Sequence, residues 1–192
     1  MTSTFVRPAG PAASPARRLP PGYGIRRPLP GDAERIACRL PIDDGVEMEA
    51  LEGRPALDVL RGWMLGGSHV LLVRGEAVAV FGIVPCFGLP PDRRAATPWA
   101  AMVSTLGRED LVDVIWLSRL QLDAWQRRWP VLQTVCDARN RFRSRWLDWL
   151  GFERHGRVER FGAHGLPFDL HVRLAERTQP LPPAPTHFGW IQ

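Results

Sequence analysis

The chain has 192 residues, 45% of them hydrophobic, which is enough for one domain with its own core. Its net charge of +5 comes entirely from arginine, because the chain has no lysine, and the arginines are interleaved with acids. This charge pattern argues against a dedicated nucleic-acid-binding surface and leaves nucleic-acid contacts only as a further alternative.

The spacing of the cysteines and histidines argues against a disulfide-stabilised protein and against a metal-binding protein. Three widely separated cysteines do not form a disulfide framework, so we expect Cys38, Cys86 and Cys136 to be free, buried thiols. The five histidines show no metal-ligand spacing, which predicts no metal site. We also expect no membrane-spanning segment and no secretory signal, because no apolar run is long enough.

The first half of the chain alternates strand and helix signals. Ile25–Pro28 is predicted as a strand, and Gly31-Asp32 introduces a helix. One or two short acidic helices follow and end at Gly66-Gly67. Two apolar runs separated by Arg74-Gly75-Glu76 predict a β-hairpin.

The second half continues with longer elements. Pro90–Pro98 is predicted as a loop and Trp99–Leu106 as a strand. Glu109–Arg128 is predicted as the longest helix, and Val131–Cys136 as a short buried strand. The chain closes with an alternating strand in the sequence FDLHVRL.

The stretch VCDARNRFRSRWLDWLGFE leads from the strand Val131–Cys136 to a further extended run that starts at Phe152, before the last strand. Asp137 or Asn140 is suited to cap a helix by accepting hydrogen bonds from its first N–H groups. The spacing predicts one apolar face on this helix, and Gly151 provides its C-terminal stop. The residues of the predicted face are Phe142, Trp146, Trp149 and Leu150.

Both ends of the chain are rich in proline. We predict extended arms over residues 1–24 and 176–192 around a single domain at 25–175. The arms carry the residues that we expect to bind partner proteins: Phe5, Val6, Arg17, Arg18, Phe188, Trp190 and Ile191.

The order of elements, closing with WPVLQTVCDARNRFRSRWLDWLGFERHGRVERF, resembles the GNAT acetyltransferase superfamily. The stretches IRRPLPGDAERIACRLPIDDGVEMEAL and VRGEAVAVFGIVP resemble, more narrowly, GNAT-like internal virion proteins of short-tailed bacteriophages. The resemblance implies a single α/β (α+β) domain whose central mixed sheet is flanked by helices and splays at the strand before Asp137.

In that family, a turn of the pattern R/Q-x-x-G-x-G/A holds the pyrophosphate of acetyl-CoA at a helix N-terminus. The matching stretch here is STLGREDLVDV, with one glycine followed by Glu109, Asp110 and Asp113. Since these acids would repel a pyrophosphate, we predict no cofactor. Acetyl-CoA bound by Thr105, Leu106, Gly107 and Asn140 is the alternative.

The resemblance also implies a tyrosine acid four residues before the glycine of the GF pair, but that position is Leu147. The only tyrosine, Tyr23, falls in the predicted N-terminal arm. Cys136 or Asp137 as substitute acids, and Trp146 with Trp149 as a ligand platform, are alternatives to purely structural roles. We therefore predict no catalytic residue and interpret Asn140 as a helix cap.

These interpretations favour a non-enzymatic component of a bacteriophage virion, assembled in the host cytoplasm. It would contact other virion proteins near the tail or internal core, in several copies and in a symmetric assembly. The alternative is an acetyl-CoA-dependent N-acetyltransferase with a divergent active site.

Overall fold

A computed structural model describes residues 19–86 and 94–175, where strands and helices alternate in the predicted way. The strands are β1 (Tyr23–Arg26), β2 (His69–Val73), β3 (Glu76–Pro85), β4 (Ala95–Met102), β5 (Val131–Asp137), β6 (Glu153–Phe161) and β7 (Leu166–Leu174). The helices are α1 (Asp32–Ala37), α2 (Ile42–Glu52), α3 (Ala56–Met64), α4 (Arg108–Gln126) and α5 (Arg141–Trp149). The strands form one mixed sheet in the order β1-β2-β3-β4-β5-β7-β6, which confirms the predicted α/β domain.

The predicted hairpin joins β2 to β3 through a two-residue turn. Arg74 and Gly75 both have positive φ angles, 49° and 86°, as a type I′ turn requires. Glu76 pairs with Val73 and is already the first residue of β3. The turn therefore sets the register of the residues next to it, and the register shifts between Leu71 and Leu72 further along β2.

Helices cover both faces of this half of the sheet. On one face, Trp63 of α3 contacts Trp99 of β4, with ring centroids 5.1 Å apart. On the other, Trp125 of α4 lies 6.2 Å from Phe81 of β3. Neighbouring residues along each strand thus serve two different helix layers.

The sheet opens between β4 and β5. These parallel strands pair only at Ala95 with Val131 and at Ala96 with Leu132. Beyond that point β4 remains paired with β3, and β5 remains paired with β7 along its whole length. The predicted splay before Asp137 is confirmed, and the wedge between the two strands is called the splay below.

Some details differ from the sequence predictions. β4 begins at Ala95, so the loop predicted over Pro90–Pro98 extends too far. Pro98 is tolerated in the strand because its nitrogen faces the splay and would not donate to β3. Cys38 is exposed at the end of α1, so burial was predicted correctly for Cys136 and wrongly for Cys38. Phe142 is also exposed and does not join the apolar face of α5.

The arms lie almost wholly outside the described residues, and so do the seven residues predicted there to bind partners. Within the described part, β1 begins at Tyr23, two residues before the predicted start of the domain. In the same part of the chain, no helix is long and apolar enough to span a membrane. Nor do its His, Cys, Asp and Glu side chains form a group of three or more placed to hold a metal ion.

Candidate functional site

Backbone groups of β4 line one side of the splay. The carbonyl of Ala95 accepts a hydrogen bond from Cys86 on the β3 side, whereas the carbonyl of Arg94 accepts one from Val131 on the β5 side. Because strand residues alternate in direction, the N–H and C=O groups of Ala100 and Met102 point into the splay. The splay therefore offers a strand edge to which an extended, amide-containing molecule can bind.

A cavity of about 740 Å³ opens beside this edge, between α4, α5 and the sheet. Its walls include Ala100 and Met102 of β4, Thr134 of β5, Ser118 of α4 and Trp146 of α5. The volume lies within the usual range of ligand sites, about 300–1,000 Å³. The cavity and the splay together form the candidate site.

An ion pair bridges the splay. The Glu47 carboxylate, on α2, lies 3.4 Å from Nε of Arg143, on α5. The Arg143 guanidinium also donates a hydrogen bond of 3.4 Å to the carbonyl of Ala100. A backbone hydrogen bond from Asp137, at the end of β5, reaches the same Glu47 carboxylate. The pair thus connects the two separated strands at the open end of the splay, beyond their last paired position at Ala96 and Leu132.

Glu47 is a buried acid with a perturbed pKa. Burial raises the pKa of its carboxyl group, and the charge of Asp44 adds to this; Arg143 and Asn140 act in the opposite direction. A carboxylate whose pKa is raised toward neutral pH is suited to accept a proton. Glu47 is not among the residues that line the cavity, so its candidacy as a base rests on its position across the splay, in contact with Arg143 and Asp137.

Both the oxygen and the nitrogen of the Asn140 side-chain amide make hydrogen bonds. Its Oδ1 accepts a hydrogen bond from the backbone N–H of Arg143, which confirms the predicted cap of α5. Its Nδ2 lies 3.2 Å from carboxylate oxygens of both Asp44 and Glu47. Asn140 therefore orients Glu47, and these contacts do not involve Thr105, Leu106 or Gly107.

Cys136 and Asp137 are poor candidates for an acid. Burial, followed by the charge of Glu47, raises the pKa of the Cys136 thiol, which keeps it neutral and a weak proton donor. The Arg139 side chain lowers the pKa of Asp137 and holds its carboxylate ionised, with the Arg139 backbone N–H also bonded at 2.9 Å. Neither group is suited to protonate a leaving group at neutral pH.

The acidic residues at the turn before α4 should repel an anion less than their number suggests, because two of them accept hydrogen bonds from other side chains. Asp110 is bonded to Arg74 by two hydrogen bonds of 2.9 Å, and its pKa is lowered by this partner. The Tyr23 hydroxyl donates to both Asp110 and Asp113, at 3.1 and 3.0 Å. Among the described residues no side chain caps α4 at Gly107, so its first N–H groups have no capping partner there.

Trp146 carries an unused hydrogen-bond donor at the cavity. Its indole Nε1 is buried and has no acceptor among the described residues. Buried donors without partners are rare, because each costs about 1–3 kcal/mol. In a residue that lines a cavity, this feature points to an acceptor on a bound molecule.

Sequence reasoning missed Glu47 and Arg143. Asp44, Glu47 and Met48 share one face of α2, and all three are buried. An acidic residue on a face that also carries a core methionine is the signal that was available. Arg143 gave no such signal, since its burial depends on the position of α2.

No family model matches the chain, and no curated protein does. Solved structures do share its fold. An acetyltransferase of the GNAT family from Bacillus anthracis has a TM-score of 0.59 at 12% identity, covering 81% of this chain and 96% of that one. RimL, a ribosomal-protein alpha-N-acetyltransferase in complex with coenzyme A, has a TM-score of 0.59 at 10% identity, with 84% and 98% covered. AAC(6')-Ib, in complex with ribostamycin and coenzyme A, has a TM-score of 0.57 at 20% identity, with 83% and 98% covered.

At these identities the comparisons establish the GNAT fold. They overturn the interpretation of the chain as a non-enzymatic virion component, because solved structures with this fold are described as acetyltransferases. The narrower likeness to phage virion proteins has no match among them.

Proposed function

We propose that the protein is a GNAT-type N-acyltransferase that uses a coenzyme A thioester. The observation that carries the proposal is the splay. Because β4 and β5 pair at only two positions, the backbone groups of Ala100 and Met102 are not paired with β5 and lie beside a cavity. Two solved structures of the same fold hold coenzyme A.

The residues present suit such a molecule. The open edge of β4 offers N–H and C=O groups to the amides of a pantetheine chain. The uncapped N-terminus of α4 at Gly107 suits the pyrophosphate, since the Arg74 guanidinium compensates the charge of Asp110. The coenzyme supplies an acyl group activated as a thioester.

Glu47 serves as the base in this proposal. It takes a proton from the acceptor amine, so that the nitrogen lone pair forms the bond to the acyl carbon. The bond from that carbon to sulfur breaks, and its electron pair leaves with the thiolate. Leu147 provides no acid, and a thiol with an ordinary pKa of about 8.5 leaves without one.

Calorimetry with acetyl-CoA tests binding, and mass spectrometry of amine substrates mixed with acetyl-CoA tests transfer. We expect binding in the micromolar range. Ala100→Pro removes an N–H that faces the splay but no ladder bond, so it should weaken binding at least tenfold with an unchanged melting temperature. If acetyl-CoA does not bind at millimolar concentration, the proposal is wrong.

The phage origin, the location in a virion and partner binding through the arms are further proposals that rest on the sequence resemblance. Mass spectrometry of purified particles of a phage that encodes the chain tests them. Absence of the chain from such particles would contradict the virion location and leave the enzymatic proposal untouched.

A further inference from the structure

The cavity is larger than the transfer of an acetyl group requires. It runs from the splay beneath α4 to Ile25 of β1 and Leu71 of β2, with a volume of about 740 Å³. The far end is open to solvent, since Ile25 is 42% exposed. The pantetheine chain would lie along the edge of β4, and an acetyl group adds only one methyl group, so the part of the cavity toward β1 and β2 remains for another occupant.

Small side chains on the floor of the cavity leave this space. Ala79 and Ala100 face α4 from β3 and β4, where larger residues would fill the layer. The neighbouring walls are apolar and come from Leu71, Phe81 and Leu117. Such a surface favours a hydrocarbon chain over a polar ligand.

Hydrogen-bond donors are gathered at one end of the cavity. The orphan Nε1 of Trp146 and the guanidinium of Arg143 lie at the α5 side, next to the splay. The opposite end, at Leu19, Ile25 and Leu71, is apolar. A ligand with a carbonyl head and a hydrocarbon tail matches this polarity.

The distance between the two ends sets the length of the tail. From β4 to β1 the sheet spans three strand spacings, or about 14 Å. This is roughly the extended length of an acyl chain of ten to twelve carbons, given carbon–carbon bonds of about 1.5 Å.

We propose that the acyl donor is a medium-chain acyl thioester of coenzyme A, with its chain beneath α4 and its thioester at the α5 side, next to the splay. This assignment rests on the proposed function and names its substrate class. The transfer balances as above: the amine nitrogen gains the acyl carbon, sulfur leaves as thiolate and Glu47 takes the proton.

Calorimetry on the full chain with acetyl-, butyryl-, octanoyl- and lauroyl-CoA tests the assignment. Each added methylene should tighten binding about threefold to fourfold until the cavity is filled. Ala79→Phe should remove this gain without changing the affinity for acetyl-CoA. Leu117→Trp, on α4, provides a second variant should the first fail to fold, and Ala175→Phe, at an exposed position outside the cavity, is the matched control.

The outcomes separate the two proposals. Equal affinity for acetyl- and lauroyl-CoA would overturn the chain-length assignment and leave the proposed function standing. Binding of free laurate without binding of any thioester would overturn both. The Phe5→Asp, Val6→Asp double variant tests whether the segment before Leu19 is the occupant. If only this variant, and not the wild type, binds longer acyl chains more tightly, the assignment is overturned in favour of that segment.

Discussion

At the scale of the residue, the proposed role of Glu47 as the base is open to a direct test. We expect Glu47→Gln to lower the rate of acyl transfer about 10²- to 10⁴-fold, the usual contribution of a general base. Binding of acetyl-CoA should remain, because glutamine keeps the shape and the contact with Asn140. Steady-state kinetics and calorimetry measure the two effects, and Glu49→Gln, at an exposed position of α2, is the control.

The pH dependence of transfer follows from the same residue. Burial raises the pKa of Glu47, and only its ionised form accepts a proton. The rate should therefore rise with pH through a value above the ordinary glutamate pKa of about 4.3. A pH–rate profile of the wild type whose inflection lies at or below the ordinary glutamate pKa would assign the base elsewhere.

At the scale of the element, the hairpin turn and α4 are coupled. Arg74 lies at the β2–β3 turn and neutralises Asp110 at the start of α4. Arg74→Ala exposes that negative charge to the anion site, so binding of coenzyme A should weaken about two- to fivefold. Calorimetry at low and high salt checks this, since screening should reduce the difference.

A matched control for this prediction is Arg61→Ala, which breaks surface pairs with Glu34 and Asp58. It should leave coenzyme binding unchanged. Equal weakening by both variants would mean that net charge, and not the charge at α4, controls binding.

The elements were predictable where local patterns dominate. The turn at Arg74-Gly75, the stop at Gly151 and the cap at Asn140 all depend on residues close in sequence. Pro98 was misassigned because proline breaks strands in general, whereas here its nitrogen faces the splay. The bridge between Glu47 and Arg143 joins residues far apart in the chain, and local periodicity contains no information about it.

At the scale of the whole molecule, stability should fall steeply in acid. Arginine partners lower the pKa of four aspartates: Asp32, Asp110, Asp137 and Asp169. A lowered pKa in the folded state gives stability that is present above the unfolded value of about 3.9 and is lost as pH falls through the folded value. Urea unfolding between pH 7 and pH 2 should show this loss.

Glu47 should contribute with the opposite sign. Its pKa is raised, so its contribution to stability is present below the unfolded value and is lost as pH rises through the folded value. Glu47→Gln should therefore flatten the dependence above the ordinary glutamate pKa of about 4.3 and leave the acid limb, which comes from the aspartates, intact. An unchanged curve above that pH would contradict the raised pKa.

The opening of the sheet also has a consequence for hydrogen exchange. Along β4 and β5, alternate amides either bond to a neighbouring strand or point into the splay. The protected amides are those of Trp99, Ala101, Leu132 and Thr134; those directed into the splay are Ala100, Met102 and Val135. Exchange rates resolved by residue should therefore rise and fall with a period of two along both strands, a pattern that uniform fraying would not produce. Addition of a thioester should slow Ala100 and Met102 selectively, which marks the strand edge that the ligand occupies.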